Sequence, residues 1–264
     1  MRRIKSLEAF DKADATERPR GSENLRRQHS YPFESLELDG AERKSSWKEL
    51  KALRFAFDKE DDCWVKDEMH IRIARRPFAE GSFRYCYDMQ ILHPDGRIED
   101  MVAKRCKKEV DPSDYFNAVM NQLLANDFAQ EFNSKVASSN MKFVPVYVYK
   151  ILDGESKNKY FCVEPKLNGH YVKHNDNNGH VDTFCLLPQA FSHFTYEKSN
   201  RTMLVCDIQG VQQFLTDPQI HCASKQEGFF GRGNSGTTGI SKFFETHVCN
   251  QICKNLGLKH PHEN

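Results

Sequence analysis

The stretch Met203–Pro218, MLVCDIQGVQQFLTDP, brings three oxygen-bearing side chains close together: Asp207, Gln209 and Asp217. Met203–Cys206 is a short apolar run of the length of a buried strand, too short for a helix. Strand alternation would put Asp207 and Gln209 on one side, with a Gly210 turn leading to Asp217 and Pro218 fixing the backbone beyond it. Two carboxylates and an amide are hard donors that suit Mg²⁺ and a general base better than a soft metal. Spacing alone is equally compatible with a polar strand end and a capped turn, because Asp-x-Gln is a short pattern.

A second constellation lies near the C-terminus. Ile240–Leu258 carries Phe243, Phe244, Val248, Ile252 and Leu256 at helical spacing and ends at Gly257. On this expected helix sit His247, Cys249 and Cys253, with the two cysteines one turn apart. Two thiolates and an imidazole make three ligands of a tetrahedral zinc site, and His193 in a preceding expected helix is the natural fourth. Buried core cysteines beside a satisfied histidine are the alternative.

The chain has 264 residues, room for one large domain or two lobes. Its 38 basic and 37 acidic side chains leave a formal charge of +1, so no overall basic excess points to nucleic acid or a membrane surface. No apolar run approaches a bilayer span, and the charged N-terminus lacks the apolar centre of a signal peptide. The nine cysteines read as thiols or metal ligands in a cytoplasmic protein.

The elements that must position these groups follow in order. Residues 1–44 read as a flexible polar arm, with a basic stretch at Arg26–Ser30. Residues 45–57 form a basic segment in which Trp47, Leu50, Leu53 and Arg54 fall at helical spacing. A calmodulin-target helix is one reading, and a helix or strand entering the following body is the other. Met69-Ile71-Ile73 begins a period of two, and paired strands are expected around a turn at Pro77–Ser82 that contains Gly81. His93–Gly96 marks a further hairpin, whose second strand ends in Lys104. Asp111-Pro112-Ser113 starts a helix over Asp114–Lys135. Strands follow at Phe143–Leu152 and Tyr160–Val163, and polarity rises abruptly after Glu164-Pro165-Lys166-Leu167. Tyr171–Gly179 is an Asn-rich loop, Leu187–Thr195 a helix with an early proline, and Gly228–Gly236 a glycine-rich loop.

The ordered set Val102–Arg105, Glu164, Lys173–Gly179, Pro188–Thr195, Asp207–Val211, Thr216–His221, Gly231-x-Gly233-Asn234-x-Gly236 and the His247/Cys249/Cys253 segment resembles the atypical alpha-kinase family over residues 54–258. The last four motifs read closest to its elongation factor 2 kinase branch. The resemblance implies an α+β, two-lobed alpha-kinase fold with a catalytic domain over 58–258, a short tail at 259–264, and ATP bound between lobes. It implies that Asp207 orients or deprotonates a substrate hydroxyl and that Gln209 and Asp217 hold Mg²⁺. Lys104 would contact the α- and β-phosphates, helped by Gly81 and Arg84. Backbone groups of Glu164 and Leu167 would hold adenine, and Lys173 and Asn177 would lie near the phosphates. His193, His247, Cys249 and Cys253 would carry structural zinc. Gly231, Gly233, Asn234 and Gly236 would shape the peptide groove.

The implied reaction is phosphoryl transfer to a protein serine or threonine, with elongation factor 2 the favoured substrate and calmodulin a partner. A myosin-heavy-chain-type kinase and a nucleotide-binding scaffold without activity are the alternatives. Three features depart from the family pattern. Ala79 stands where many relatives have a first loop glycine. Lys104 has no evident partner on the Asp114–Lys135 helix beyond Glu131. The sequence ends soon after the zinc segment, without the linker and helical repeats of the elongation factor 2 kinases, so the resemblance bears on the reaction before the substrate.

Overall fold

The computed structural model describes residues 46–154, 159–181, 185–224 and 230–261. The arm expected over 1–44, with Arg26–Ser30, lies outside the described residues, as do residue 45, Gly228, Phe229 and the last three residues of the tail. The described residues form two compact units: those of 46–113 with those of 147–164, and those of 114–146 with those of 165–261.

The first unit contains strands β1 (Trp47–Asp58), β2 (Cys63–Ala74), β3 (Ala79–Glu80), β4 (Arg84–Leu92), β5 (Ile98–Cys106), β7 (Tyr147–Ile151) and β8 (Tyr160–Pro165). They are ordered β2-β1-β7-β8-β5-β4-β3, and β2 also pairs with β4, which closes six of the strands on themselves as a small barrel. Closure removes the exposed edges that an open sheet would present. The interior follows strict alternation: Leu50 and Ala52, Ile71 and Ile73, Met89 and Ile91, Met101 and Ala103, Tyr149 and Ile151, Phe161 and Val163 form one buried cluster. Lys104 and Glu164 each follow an interior residue, and therefore sit on the outward face of their strands.

Residues 47–57 are strand, not helix. β1 pairs with β2 along all 12 of its residues and with β7 from Ala52 to Phe55. Leu50 and Ala52 are buried on one face and Phe55 on the other. A strand covered on both faces carries apolar residues at both parities, and here that produced spacing that imitates a helix.

The second unit contains α1 (Ser113–Lys135), β6 (Lys142–Phe143), β9 (Tyr171–Lys173), α2 (Leu186–Lys198), β10 (Met203–Cys206), β11 (Gln209–Val211), β12 (Phe214–Thr216), β13 (Gln219–Cys222), α3 (Gly236–Thr246) and α4 (Gln251–Asn255). Asp111 accepts the backbone N–H of Ser113 at 2.9 Å, which sets the start of α1 where the Asp-Pro-Ser signal places it. Ala125, Phe128, Ala129 and Phe132 of α1 pack with Phe191 and Phe194 of α2 and with Val205 and Ile220 in one core. β10 and β13 form a two-stranded ribbon beside a four-stranded sheet ordered β6-β12-β11-β9. The single helix expected over 240–258 is two helices. His247 ends α3 in extended backbone, and the Asn250 side chain accepts the N–H groups of Ile252 (2.9 Å) and Cys253 (3.3 Å) to start α4 anew. No helix among the described residues is long and apolar enough to cross a membrane.

Candidate active site and metal cluster

Every residue of β10 is buried, and its pairing with β13 (Cys206 opposite Gln219) fixes the point at which the chain leaves that ribbon. Asp207 takes that exit with φ 58°, and Gln209 then begins β11 in the other sheet. Asp207 and Gln209 are therefore not alternate residues of one strand. Asp217 repeats the exit after β12 with φ 52°. Aspartate is among the few side chains that tolerate this left-handed region. Gly210 is a strand residue rather than a turn: its φ is 155°, and a Cβ there would lie 2.0 Å from the Phe214 carbonyl oxygen.

Both exits are held by buried amides that sequence reading gave no role. Asn175 accepts the Ile208 N–H at 2.8 Å and donates to the Ser192 hydroxyl at 3.2 Å. Gln122 of α1 accepts the Asp217 N–H at 3.1 Å and donates to the Val144 carbonyl at 2.6 Å. Gln209 donates its amide N–H to the carbonyls of Asp207 (3.2 Å) and Asp217 (3.5 Å). That leaves the Gln209 amide oxygen as the atom of this side chain that could face a cation.

β9 pairs with β11, placing Lys173 opposite Gln209. The Lys173 ammonium is 2.8 Å from a carboxylate oxygen of Asp207. Burial raises the Asp207 carboxyl above the ordinary aspartate range; Lys173 opposes that shift, and Asp217 and Asp176 add to it. A carboxylate raised in this way is a better proton acceptor than an exposed aspartate. Asp176 accepts the N–H groups of Asn178 (2.7 Å) and His180 (2.9 Å), folding the Asn-rich segment into a tight loop around Asn177.

In the glycine-rich loop, Asn234 accepts the N–H groups of Cys222 (3.0 Å) and Gly236 (2.8 Å). Gly231 has φ 71°, and a Cβ at Gly233 would lie 1.7 Å from the Gln219 side chain. Asn121 of α1 donates to the Phe230 carbonyl at 3.0 Å, and Arg232 faces Asp114 at 3.8 Å.

In the first unit Lys104 pairs with Glu164 at 2.6 Å, with the residues only 5% and 4% exposed. The lysine's partner is thus the last residue of its own unit. Glu131 instead meets Lys198 at 2.5 Å. Glu164, expected to act through its backbone, places its carboxylate against Lys104. Gly81 donates its N–H to the Arg84 carbonyl at 2.9 Å; Arg84 is the first residue of β4, Ala79 lies in β3, and Leu167 is half-buried beyond β8.

The ligand atoms of His193, His247, Cys249 and Cys253 all lie within 4.8 Å of one another. His193 Nδ1 and His247 Nε2 are 3.1 Å apart, Cys249 Sγ is 3.7 and 3.8 Å from them, and Cys253 Sγ is 3.7 Å from His247 Nε2. A tetrahedral ion with bonds of about 2.0 Å to nitrogen and 2.3 Å to sulfur needs ligand separations of roughly 3.3–3.8 Å, and these four separations lie in or near that range. His193 Nε2 lies 3.2 Å from the Lys259 carbonyl, which as acceptor fixes its proton there and turns the Nδ1 lone pair inward. Burial pushes His247 down to about 3 and Cys253 up to about 11. A divalent cation would reverse the second effect by binding thiolate. The break between α3 and α4 lets His247 join the two cysteines, which a continuous helix would have placed on another face.

This fold and these residues match the alpha-kinase family profile over residues 79–253, and the chain belongs to the alpha-kinase family. Among its relatives it is 40% identical over 230 residues to alpha-protein kinase 1 of Dictyostelium discoideum, covering 86% of this chain and 16% of that one. It is 38% identical over 204 residues to the eukaryotic elongation factor 2 kinase of Rattus norvegicus, covering 74% and 28%. The crystal structure of the alpha-kinase domain of myosin-II heavy chain kinase A in complex with AMP-PNP superposes with a TM-score of 0.75 at 32% identity, covering 81% of this chain and 97% of that one. The chain thus spans well under a third of the two full-length relatives.

Proposed function

We propose that this chain is an ATP- and Mg²⁺-dependent protein serine/threonine kinase with elongation factor 2 as its favoured substrate. The observation that carries the reading is the grouping, in one unit, of Asp207 and Asp217 on two strand exits with Gln209 and Lys173 on the paired strands β11 and β9. The buried Lys104–Glu164 pair on the other unit adds to it. Membership of the family and likeness to a domain solved with AMP-PNP support it.

Asp207 would take the proton of the substrate hydroxyl as its oxygen bonds to the γ-phosphorus and the bond to the β-phosphate oxygen breaks, releasing ADP. Lys173, already beside Asp207, would neutralise charge on the transferring group, and Lys104 would contact the α- and β-phosphates, with Gly81, Arg84, Glu164 and Leu167 around the nucleotide. Gln209 and Asp217 would hold Mg²⁺, which when bound shields the phosphate charge. Such chemistry is mostly positioning and electrostatics. Zinc at His193, His247, Cys249 and Cys253 would be structural, since four protein ligands close the site. None of the nine cysteines forms a disulfide, which fits a reducing, cytoplasmic setting.

A second reading, a myosin-heavy-chain kinase, is favoured by 40% identity to myosin heavy chain kinase C of Dictyostelium discoideum. The deciding experiment is phosphate transfer from radiolabelled ATP to elongation factor 2 beside a myosin tail, with and without Ca²⁺–calmodulin. Preferential Mg²⁺-dependent labelling of elongation factor 2 is expected. A calmodulin response routed through residues 45–57 would require β1 to leave its sheet. Full activity in Asp207→Ala or Lys104→Ala would sink the residue assignment, and tight ATP binding without transfer would favour a scaffold.

A further inference from the structure

The third residue of β13, His221, is 1% exposed and has a built partner on each ring nitrogen. Nδ1 accepts the backbone N–H of Ser235 in the glycine-rich loop at 3.0 Å. With Nδ1 accepting, the ring proton belongs on Nε2, which lies 2.9 Å from the Asn177 carbonyl and donates to it. The ring is clamped from a third side, because a Cβ at Gly239 of α3 would lie 2.5 Å from three of its atoms. Burial lowers its proton affinity and keeps it neutral, the only state that can accept and donate at once. The direct contact between the two loops is weaker: Asn177 Nδ2 lies 3.5 Å from the Gly233 carbonyl.

We infer that His221 is a positioning residue that ties the Asn177 loop to the Gly231–Gly236 loop and so couples nucleotide binding to peptide binding. The coupling rests on the kinase reading above; the bridge itself rests on geometry alone. An imidazole spans the gap as a rigid spacer with an acceptor at one nitrogen and a donor at the other. No aliphatic residue does this, and each carboxamide reproduces only one half. The Asn oxygen can stand at the Nδ1 position, and the Gln nitrogen at the Nε2 position.

The test is steady-state kinetics of the whole chain with Mg–ATP and a threonine peptide, comparing His221→Asn, His221→Gln and His221→Leu. His221→Asn keeps the Ser235 bond and should raise KM for ATP roughly fivefold to tenfold, the worth of one net hydrogen bond. His221→Gln keeps the Asn177 bond and should raise KM for peptide by a similar factor. His221→Leu should raise both. In wild type KM for ATP should fall about fivefold or more between trace and saturating peptide, and all three variants should lose that dependence. A wild-type KM for ATP that ignores peptide, or variants that keep the dependence with KM values within twofold of wild type, would overturn the coupling and leave His221 a packing residue. Nitrogen-15 NMR of the wild-type imidazole reads the bridge without turnover and covers variants that fail to fold. A neutral ring protonated at Nε2 at pH 7 is expected, whereas an Nδ1–H ring or an imidazolium would overturn it. If the wild type transfers no phosphate, the kinase reading fails, and the NMR result still decides the bridge.

Discussion

Replacing Glu164 with glutamine leaves the Lys104 ammonium without its carboxylate in a site that is 5% exposed. At 2.6 Å the attraction is about 6 kcal/mol for an effective dielectric constant near 20. Desolvation of both ions offsets much of that, so the pair's net worth is small. Breaking it from one side is different, because a buried charge then loses its paired counter-charge, at a cost of about 3–5 kcal/mol. With roughly 2–4 °C per kcal/mol for a chain of this size, the melting temperature should fall by about 6–20 °C. Lys104→Met should also destabilise. The double variant Lys104→Met/Glu164→Leu should recover much of the loss, since it leaves neither charge exposed to an apolar setting. Thermal melts by circular dichroism and a guanidinium double-mutant cycle measure these terms. A Glu164→Gln protein within about 0.5 kcal/mol of wild type, or a double variant whose loss equals the sum of the single losses, would refute the pairing argument.

Metal analysis of purified protein should find about one zinc per chain, and a strong chelator should lower the melting temperature as well as metal content. Cys253→Ala should lose the metal; unchanged melting after complete removal would count against a structural site. Asp207→Asn should abolish phosphate transfer yet stabilise the fold at neutral pH. Its carboxyl is raised in the folded state, so between the ordinary aspartate value and the folded value the native form binds more protons, and stability falls as pH rises through that window. Asparagine removes the slope, which melts at several pH values would show. An unchanged slope would mean that Asp207 is not the strained group.

Much of this protein was legible along the chain because the relevant physics is local. The Asp-Pro-Ser start of α1, the early proline of α2 and the period of two in β2 each depend on neighbours a few residues away. The ordered motifs were enough to point to the family, which the comparison over residues 79–253 then showed. Residues 47–57 misled because burial on both faces of β1 erased the strand period. The helix break at His247–Asn250 was hidden because Asn250 acts as a cap only when the chain turns there. The partner of Lys104 could not be read at all: Glu164 lies 60 positions away, and only the adjacency of β5 and β8 brings them to 2.6 Å. Neither Gln122 nor Asn175, although the latter lies inside the Lys173–Gly179 motif, showed its holding role in the sequence, since a buried amide is defined by the backbone groups it satisfies. The sequence by itself determined which side chains could take a proton, hold a cation or bind zinc. The tertiary structure decided which of them meet, because pairing between distant strands, unlike local turn chemistry, leaves no spacing to read.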